Sequence, residues 1–451
     1  MGRIPAGELL RKGVHIGSVA AALFLRYLEP WQAMAIAVLA LAFNAVALPR
    51  LTGRRLERQE ELRRGYAPGI LLYPLSVLLL LVLFPHRLEI VAAAWGIMAL
   101  GDGMGTVAGK WVGGSRLPWN PNKTITGTVA FFLFGTVGSL LLFQFVRGGT
   151  PGTPMPWGSA LILCGTVTAI CAVVEGMPLG IDDNLIVPLL AGGLLFAFTL
   201  VDPALLRGGN YRFLTNFLVG LALNGLLALV FLKQGWVDRS GSVAGLAIGI
   251  LVFTFGGWQG FALLLLFFSL GTGATRLGFR RKASRGIAQE RGGARSARHA
   301  VANTGLAAFL FFLAASTPHR QLLLLAAVAA LATAAFDTVS SEIGQLSSRG
   351  TILVTTLRRV PPGTDGAVSP LGTAAGLLAA GILSTAALGL SLLGSPAGIL
   401  LVIGAAFVGG TVESFIGATL EKRRWMDNEA VNFLNTLIGS GVAIGGFRWL
   451  A

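Results

Sequence analysis

Charge is scarce in this chain. Of its 451 residues only 12% are Asp, Glu, Lys or Arg, and the mean hydropathy is +0.73. A soluble protein of this length cannot hide so much apolar surface, which excludes the water-soluble globular classes. Cysteine is nearly absent. Cys164 and Cys171 share one apolar segment and read as small buried hydrophobes. The four histidines do not cluster with cysteine, which leaves no zinc site of the Cys/His type. Acidic side chains are outnumbered by basic ones, 20 to 35, for a net charge of +15. In a membrane protein such an excess marks cytoplasmic loops first and anionic lipid or phosphate substrates second, so nucleic acid is not an expected partner.

What the chain has instead is apolar length. Runs of about 17 to 25 residues recur throughout, each able to cross a bilayer as a helix. The expectation is an all-α, polytopic integral membrane protein of about fifteen spans. They fall near 13–28, 31–49, 68–85, 89–109, 125–146, 158–175, 185–201, 213–232, 242–256, 258–274, 300–316, 320–336, 368–392, 395–413 and 431–448. Arg3, Arg11 and Lys12 precede the first run and no small-residue cleavage site follows it, so it reads as a retained span and not a signal peptide. With a cytoplasmic N-terminus, alternation sends 50–67, 110–124, 176–184, 233–241, 275–299, 337–367 and 414–430 to the same side. Together with the N-terminus these segments hold 28 of the 35 Lys and Arg, as the positive-inside rule requires. A bacterial inner membrane is the expected location.

The acidic residues then gain meaning. Asp102, Glu175, Asp182, Asp183, Asp337, Glu342, Asp365, Glu413 and Asp427 all fall at cytoplasmic span ends or in cytoplasmic loops. Carboxylates at the edge of hydrocarbon are costly and usually functional. With Lys123, Arg358 and Arg359 they form an interfacial layer suited to metal and phosphate.

The two halves echo each other. "GDGMGTVAGK", "NKTITGT" and "VEGMPLGIDDNLIVPLLAG" are answered in order by "FDTVSSEIGQ", "RRVPPGTDGAVSPLGT" and "VESFIGATLEKRRWMDNEAVN". Asp102 and Asp337 lie 235 residues apart, Glu175 and Glu413 238, and Asn184 and Asn428 244. "RRGYAPG" (63–69) and "RSARHAVANTG" (295–305) extend the series upstream. Such a period implies two homologous tandem membrane domains, 1–205 and 206–451, and an extra span before the second core keeps both on one side.

In "GDGMGTVAGKWVGG" (101–114), glycine at every fourth position is accounted for by close helix packing. Packing does not account for Asp102. A nucleotide P-loop fits poorly, since GxxxxGK[ST] would need Gly at Met104 and Ser or Thr at Trp111. Asp102 remains as a metal or proton ligand, with Glu175, Asp182 and Asp183 as further oxygen donors of the kind Mg²⁺ prefers. Phosphoryl transfer needs little more than metal, cations and a base. Lys123 supplies one cation. In the second half, "VPPGTDGAVSPLGT" (360–373) is a rigid turn that sets Asp365 before a span, after Arg358 and Arg359. The basic segment 276–305, which contains Arg295, is compatible with a lipid-surface anchor or with a phosphate-holding loop.

Through "ELLRKGVHIG", "RRGYAPGILLYPL", "ALGDGMGTVAGK", "NKTITGT" and "VEGMPLGIDDNLIVPL", the first half resembles the dolichol kinase/phytol kinase family of CTP-dependent membrane lipid kinases. Through "DRSGSVAG", "FFSLGTGATRLGFRRK", "GGARSARHAVANTG", "FDTVSSEIGQ", "RRVPPGTDGAVSPLGT" and "VESFIGATL", the second half resembles the plant phytyl-phosphate kinase family. The resemblance implies a fusion of two activities for isoprenoid salvage. An isoprenoid alcohol (phytol, geranylgeraniol or farnesol) becomes the monophosphate with CTP and Mg²⁺, and the monophosphate becomes the diphosphate. ATP or another nucleotide is left open as donor in the second half. Catalytic roles are implied for Asp102, Asp183, Asp337 and Asp365. Phosphate contacts are implied for Lys123, Asn184, Arg295, Arg358 and Arg359. Metal ligation is implied for Asp102, Glu175, Asp182, Asp337, Glu342, Glu413 and Asp427. The chain departs from first-half relatives at Gly103 and Gly105, where Ser or Ala often follows the Gly-Asp pair. A repeat-built lipid transporter and a CDP-lipid-forming cytidylyltransferase are the competing classes.

Overall fold

Hydrocarbon offers no hydrogen bonds, so a chain this apolar satisfies its backbone internally, as helices. In a computed structural model of the protein, residues 6–52, 68–149, 154–177, 182–208, 210–347, 350–422 and 426–448 are described. Eleven helices among the described residues are long and apolar enough to span a membrane, and Gly69–Leu83 and Asp183–Thr199 are shorter apolar helices. Part of "RRGYAPG" (63–69) and residues 178–181 lie outside the described residues. The chain divides into two units, 1–200 and 201–451.

The first unit contains α1 (Ala6–Gly17), α2 (Val19–Ala22), α3 (Pro30–Thr52), α4 (Pro68–Leu83), α5 (Leu88–Trp111), α6 (Ile125–Arg147), α7 (Trp157–Glu175) and α8 (Asp183–Thr199). A two-stranded hairpin, β1 (Arg116–Leu117) with β2 (Asn120–Thr124), joins α5 to α6. The span expected at 13–28 is instead broken at Ser18, whose hydroxyl donates to the His15 carbonyl at 2.6 Å, and tightens into a 3₁₀ turn at Leu23–Arg26. α5 is the most enclosed span of this unit, with 72% of its apolar window buried, and it carries a π turn at Ile97–Asp102. π turns are rare and recur at functional sites.

The glycine stripe is a packing device. A Cβ on Gly105 would lie 3.0 Å from the Gly127 carbonyl oxygen, and one on Gly96 would lie 2.8 Å from the Gly138 backbone, so α5 and α6 meet nearly backbone to backbone. On the other side of α5, Gly103 receives Ile16 of α1.

The second unit contains α9 (Pro203–Gly208), α10 (Asn210–Lys233), α11 (Arg239–Arg276), α12 (Phe279–Ser284), α13 (Ala297–Ser316), α14 (Arg320–Gly344), α15 (Pro370–Gly389), α16 (Ala397–Glu421) and α17 (Asn428–Phe447). A short hairpin, β3 (Ile352–Leu353) with β4 (Ala367–Val368), precedes α15. α14 is its most enclosed span, 83% buried, built from the small-residue run Ala326–Ala335. The spans expected at 242–256 and 258–274 are the two arms of α11, broken at Gly257 (φ 66°, ψ −169°), a backbone conformation that favours glycine. The arms fold back on each other. Phe253 and Phe261 touch with ring centroids 5.4 Å apart although eight residues separate them, and Phe268 returns to stack on Phe231 at 4.8 Å.

The units share local plans. In each, a hairpin leads to a hydroxyl N-cap, Thr124 accepting from Gly127 N and Ser369 accepting from Gly372 N. Each cap sits where a Cβ on a glycine of the central helix would point, Gly109 or Gly344. One contact is made with its partners exchanged. Gly101 of α5 faces Phe131 of α6, whereas Phe336 of α14 faces Gly376 of α15.

Candidate functional site

In the first unit the π turn delivers Asp102 to the end of the buried part of α5. Its Oδ2 accepts from Lys12 Nζ at 2.7 Å and lies 3.4 Å from His15 Nε2, while Thr106 Oγ1 donates to Oδ1 at 3.4 Å. Lys12 is itself buried, at 8% exposure. A buried carboxylate is tolerable when paired in this way. His15 also contacts the Met98 carbonyl at 3.0 Å and packs edge-on against Tyr73, whose hydroxyl meets Ser18 at 2.5 Å and Trp95 Nε1 at 2.8 Å.

A second cation faces the same place. Lys123, at the end of β2, donates to Glu175 at the foot of α7 and to Asp183 Oδ2 at 3.2 Å at the head of α8. Burial alone would lower the Lys123 pKa, but Asp183 and Glu175 outweigh it and raise it, so the ammonium stays charged. Asp102 is within electrostatic reach of Lys123, Glu175 and Asp183. The structure thus unites Asp102, Lys123, Glu175 and Asp183. Asp182 and Asn184 act locally. Asp182 Oδ1 caps α8, accepting from the Asn184 backbone N–H at 2.9 Å and from its Nδ2 at 2.8 Å.

In the second unit Asp337 and Glu342 ride on α14. Glu342 is 2% exposed and ion-paired with Lys282, which is 1% exposed. Lys282 Nζ also donates to the carbonyls of Ala274 at 3.2 Å and Thr275 at 2.8 Å, tying the end of α11 to α14. Asp337 faces Arg295, whose Nη2 donates to Thr275 Oγ1 at 3.4 Å. Burial holds the Arg295 pKa below its usual value, and the carboxylates of Glu342 and Asp337 offset only part of that. Glu413, Glu421, Asp337 and Asp365 lie within electrostatic reach and repel one another. Asp427 caps α17, accepting from Ala430 N at 3.0 Å, and pairs with Arg298. Arg358 and Arg359 stand exposed on the loop after β3. Among the described residues no three His, Cys, Asp or Glu side chains converge as a preformed metal cage.

Sequence reasoning missed Lys12, His15, Lys282, Arg298 and Glu421 as members of these clusters. The signal for Lys12 and Lys282 was present: a lysine beside a long apolar run needs either water or a carboxylate. Cys164 and Cys171 are free and buried in α7.

The sequence profile of the integral membrane protein family DUF92 matches residues 222–440. A membrane protein of Synechocystis sp. is 39% identical over 202 residues, covering 44% of this chain and 78% of that protein. The chloroplastic protein VTE6 of Arabidopsis thaliana is 35% identical over 215 residues, 46% of this chain and 64% of its own. Phytol kinase 1 of the same plant, also chloroplastic, is 31% identical over 154 residues, 34% of this chain, so this chain spans about half (48%) of that kinase's length. No solved structure matches. The chain belongs to the DUF92 family of integral membrane proteins.

Proposed function

We propose that the chain is a membrane kinase of isoprenoid substrates with two active units. The first transfers the terminal phosphoryl of CTP to an isoprenoid alcohol of the phytol, geranylgeraniol or farnesol class. The second converts the monophosphate into the diphosphate, with CTP, ATP or another nucleotide as donor, and the pair serves isoprenoid salvage. One observation carries the reading. In each unit the most enclosed helix delivers a carboxylate, Asp102 or Asp337, to a place where further carboxylates and cations gather. The similarity to phytol kinase 1 supports it, as does the exchanged glycine–phenylalanine contact, which fits two units of common descent.

The donor set fits Mg²⁺. Asp337, Glu413, Glu421 and Asp365 are hard oxygens that repel one another and form no closed cage, which suits an ion that keeps waters and shares phosphate oxygens. In the first unit Asp102, Glu175 and Asp183 would hold it. When bound, Mg²⁺ neutralises charge on the phosphates. Lys12 and His15 orient Asp102, so that it accepts the alcohol proton as the oxygen–phosphorus bond forms and CDP departs with the electrons of the cleaved bridge. Lys123 exchanges a carboxylate contact for a phosphate oxygen. The apolar tail stays in the bilayer while its hydroxyl reaches the interface. The distribution of Lys and Arg supports a cytoplasmic face for both sites.

Membranes containing the protein, supplied with terminally labelled CTP, Mg²⁺ and phytol or farnesol, should form labelled monophosphate and then diphosphate. Asp102→Asn should block the alcohol and spare added monophosphate, and Asp337→Asn should stall the sequence at monophosphate. No transfer from CTP or ATP to any prenol refutes the proposal. Release of pyrophosphate in place of CDP identifies a cytidylyltransferase instead, and lipid movement without nucleotide dependence identifies a transporter.

A further inference from the structure

The second unit contains a cavity of about 110 Å³ enclosed by α10, both arms of α11 and α13. One part of its wall is aromatic: Phe231, Phe261, Phe267 and Phe268. The rest is largely aliphatic but carries a short polar stripe of Arg295, His299 and Asn303, spaced by four residues so that they follow one face of the chain as it enters α13. Asn303 is 4% exposed, and although its Nδ2 donates to the His299 carbonyl at 2.9 Å, its Oδ1 has no hydrogen-bond partner. Gly245, in its wall, is exposed, and an added Cβ there would meet nothing within 4 Å.

A hydrophobic slot that opens laterally in a membrane protein admits a chain from the bilayer without passing it through water. An ordinary diacyl lipid would bring two chains and a bulky headgroup. Its wall includes Arg295, whose guanidinium also faces Asp337. A single chain ending in a compact anion fits that polarity. A cavity of about 110 Å³ is smaller than the roughly 150 Å³ apolar cavities that take up benzene, so it holds at most about one five-carbon unit, and the rest of the chain stays in lipid.

We propose that this cavity seats the first isoprene unit of a prenyl monophosphate, with the phosphate turned toward Arg295 and the tail leaving past Gly245. The inference rests on the kinase reading for its substrate, and adds where that substrate binds. Mouth size would then select single branched chains, and Arg295 would select phosphate over alcohol.

The test uses the purified full-length protein in nanodiscs with geranylgeranyl monophosphate that carries a diazirine near its phosphate end. Adducts mapped by peptide mass spectrometry are expected on 227–231 and 261–268. Geranylgeranyl monophosphate should displace them at least about tenfold better than geranylgeraniol or phosphatidylglycerol, since a charge-assisted hydrogen bond alone exceeds that factor. Gly245→Trp should cut labelling by about tenfold or more, the weight of two or more excluded methylenes. Val243→Trp, on the 70% exposed side of the same helix, should leave it unchanged. Adducts elsewhere overturn the proposal, and so does equal displacement by phosphatidylglycerol, which would make the slot a seat for bilayer lipid. If Gly245→Trp fails to accumulate, the competition series decides. Mapped adducts without any nucleotide-dependent diphosphate would sink the kinase reading and leave the chain site standing. Diphosphate formation with adducts elsewhere would sink this inference alone.

Discussion

Lys282→Met separates two roles for Glu342. If Glu342 is chiefly the partner of Lys282, the pair is a clamp between α11 and α14, and its loss is a matter of stability. Both side chains are at most 2% exposed. Removing the lysine leaves a buried carboxylate whose Oε1 already lacks a partner, and frees the carbonyls of Ala274 and Thr275. Breaking one side of a buried ion pair costs about 3–5 kcal/mol. For a unit of this size each kcal/mol moves the melting temperature by about 2–4 °C, so Lys282→Met should melt about 6–20 °C lower in thermal unfolding of the purified protein. Neutralising the orphan should recover part of the loss. Lys282→Met/Glu342→Gln is expected to melt above Lys282→Met alone, with a coupling of about 1–3 kcal/mol, and to retain Mg²⁺-dependent activity at permissive temperature. A double variant no more stable than the single one refutes the clamp. Full stability with activity lost at every Mg²⁺ concentration would instead make Glu342 a metal ligand.

Lys123→Met should lower turnover of the alcohol by about 10²–10³, as loss of one preorganised cation at a transferring phosphoryl does, with Lys123→Arg keeping part of it; steady-state kinetics with CTP checks this. The mirrored contact offers a packing test. Gly101→Phe alone should destabilise the first unit by about 1–3 kcal/mol through overpacking against Phe131, and Gly101→Phe/Phe131→Gly, which copies the arrangement of the second unit, should recover more than half of that in melting temperature.

Several site features were legible before any fold was known. Asp102 and Asp337 stood out because packing explains neighbouring small residues and never a carboxylate. The Gly101–Gly105–Gly109 spacing announced a close helix contact, and α6 supplies it. The break at Gly257 was legible as two apolar runs, 242–256 and 258–274, that together are too long for one span and meet at a glycine. Roles inside the clusters were less legible. Asp182 and Asp427 read as ligands, and both cap helices, a role that any Asp before a helix can fill without help from the rest of the fold. Arg358 and Arg359 gained a phosphate role from the resemblance, and the loop before the 360–373 turn leaves them exposed. Glu421 was not singled out in the sequence, and the π turn at the end of α16 brings it among Glu413, Asp337 and Asp365.

Composition and order were enough to determine a helical membrane protein with acidic residues gathered at span ends, because hydrocarbon punishes every unpaired backbone group and every stray charge in the same way wherever it occurs. Which charge answers which was decided only by the folded chain. Lys12 reaches Asp102 across 90 residues, and Lys282 reaches Glu342 across 60. A pairing of that kind depends on which helices lie side by side, and that choice is made by glycine contacts and buried shape rather than by any local pattern.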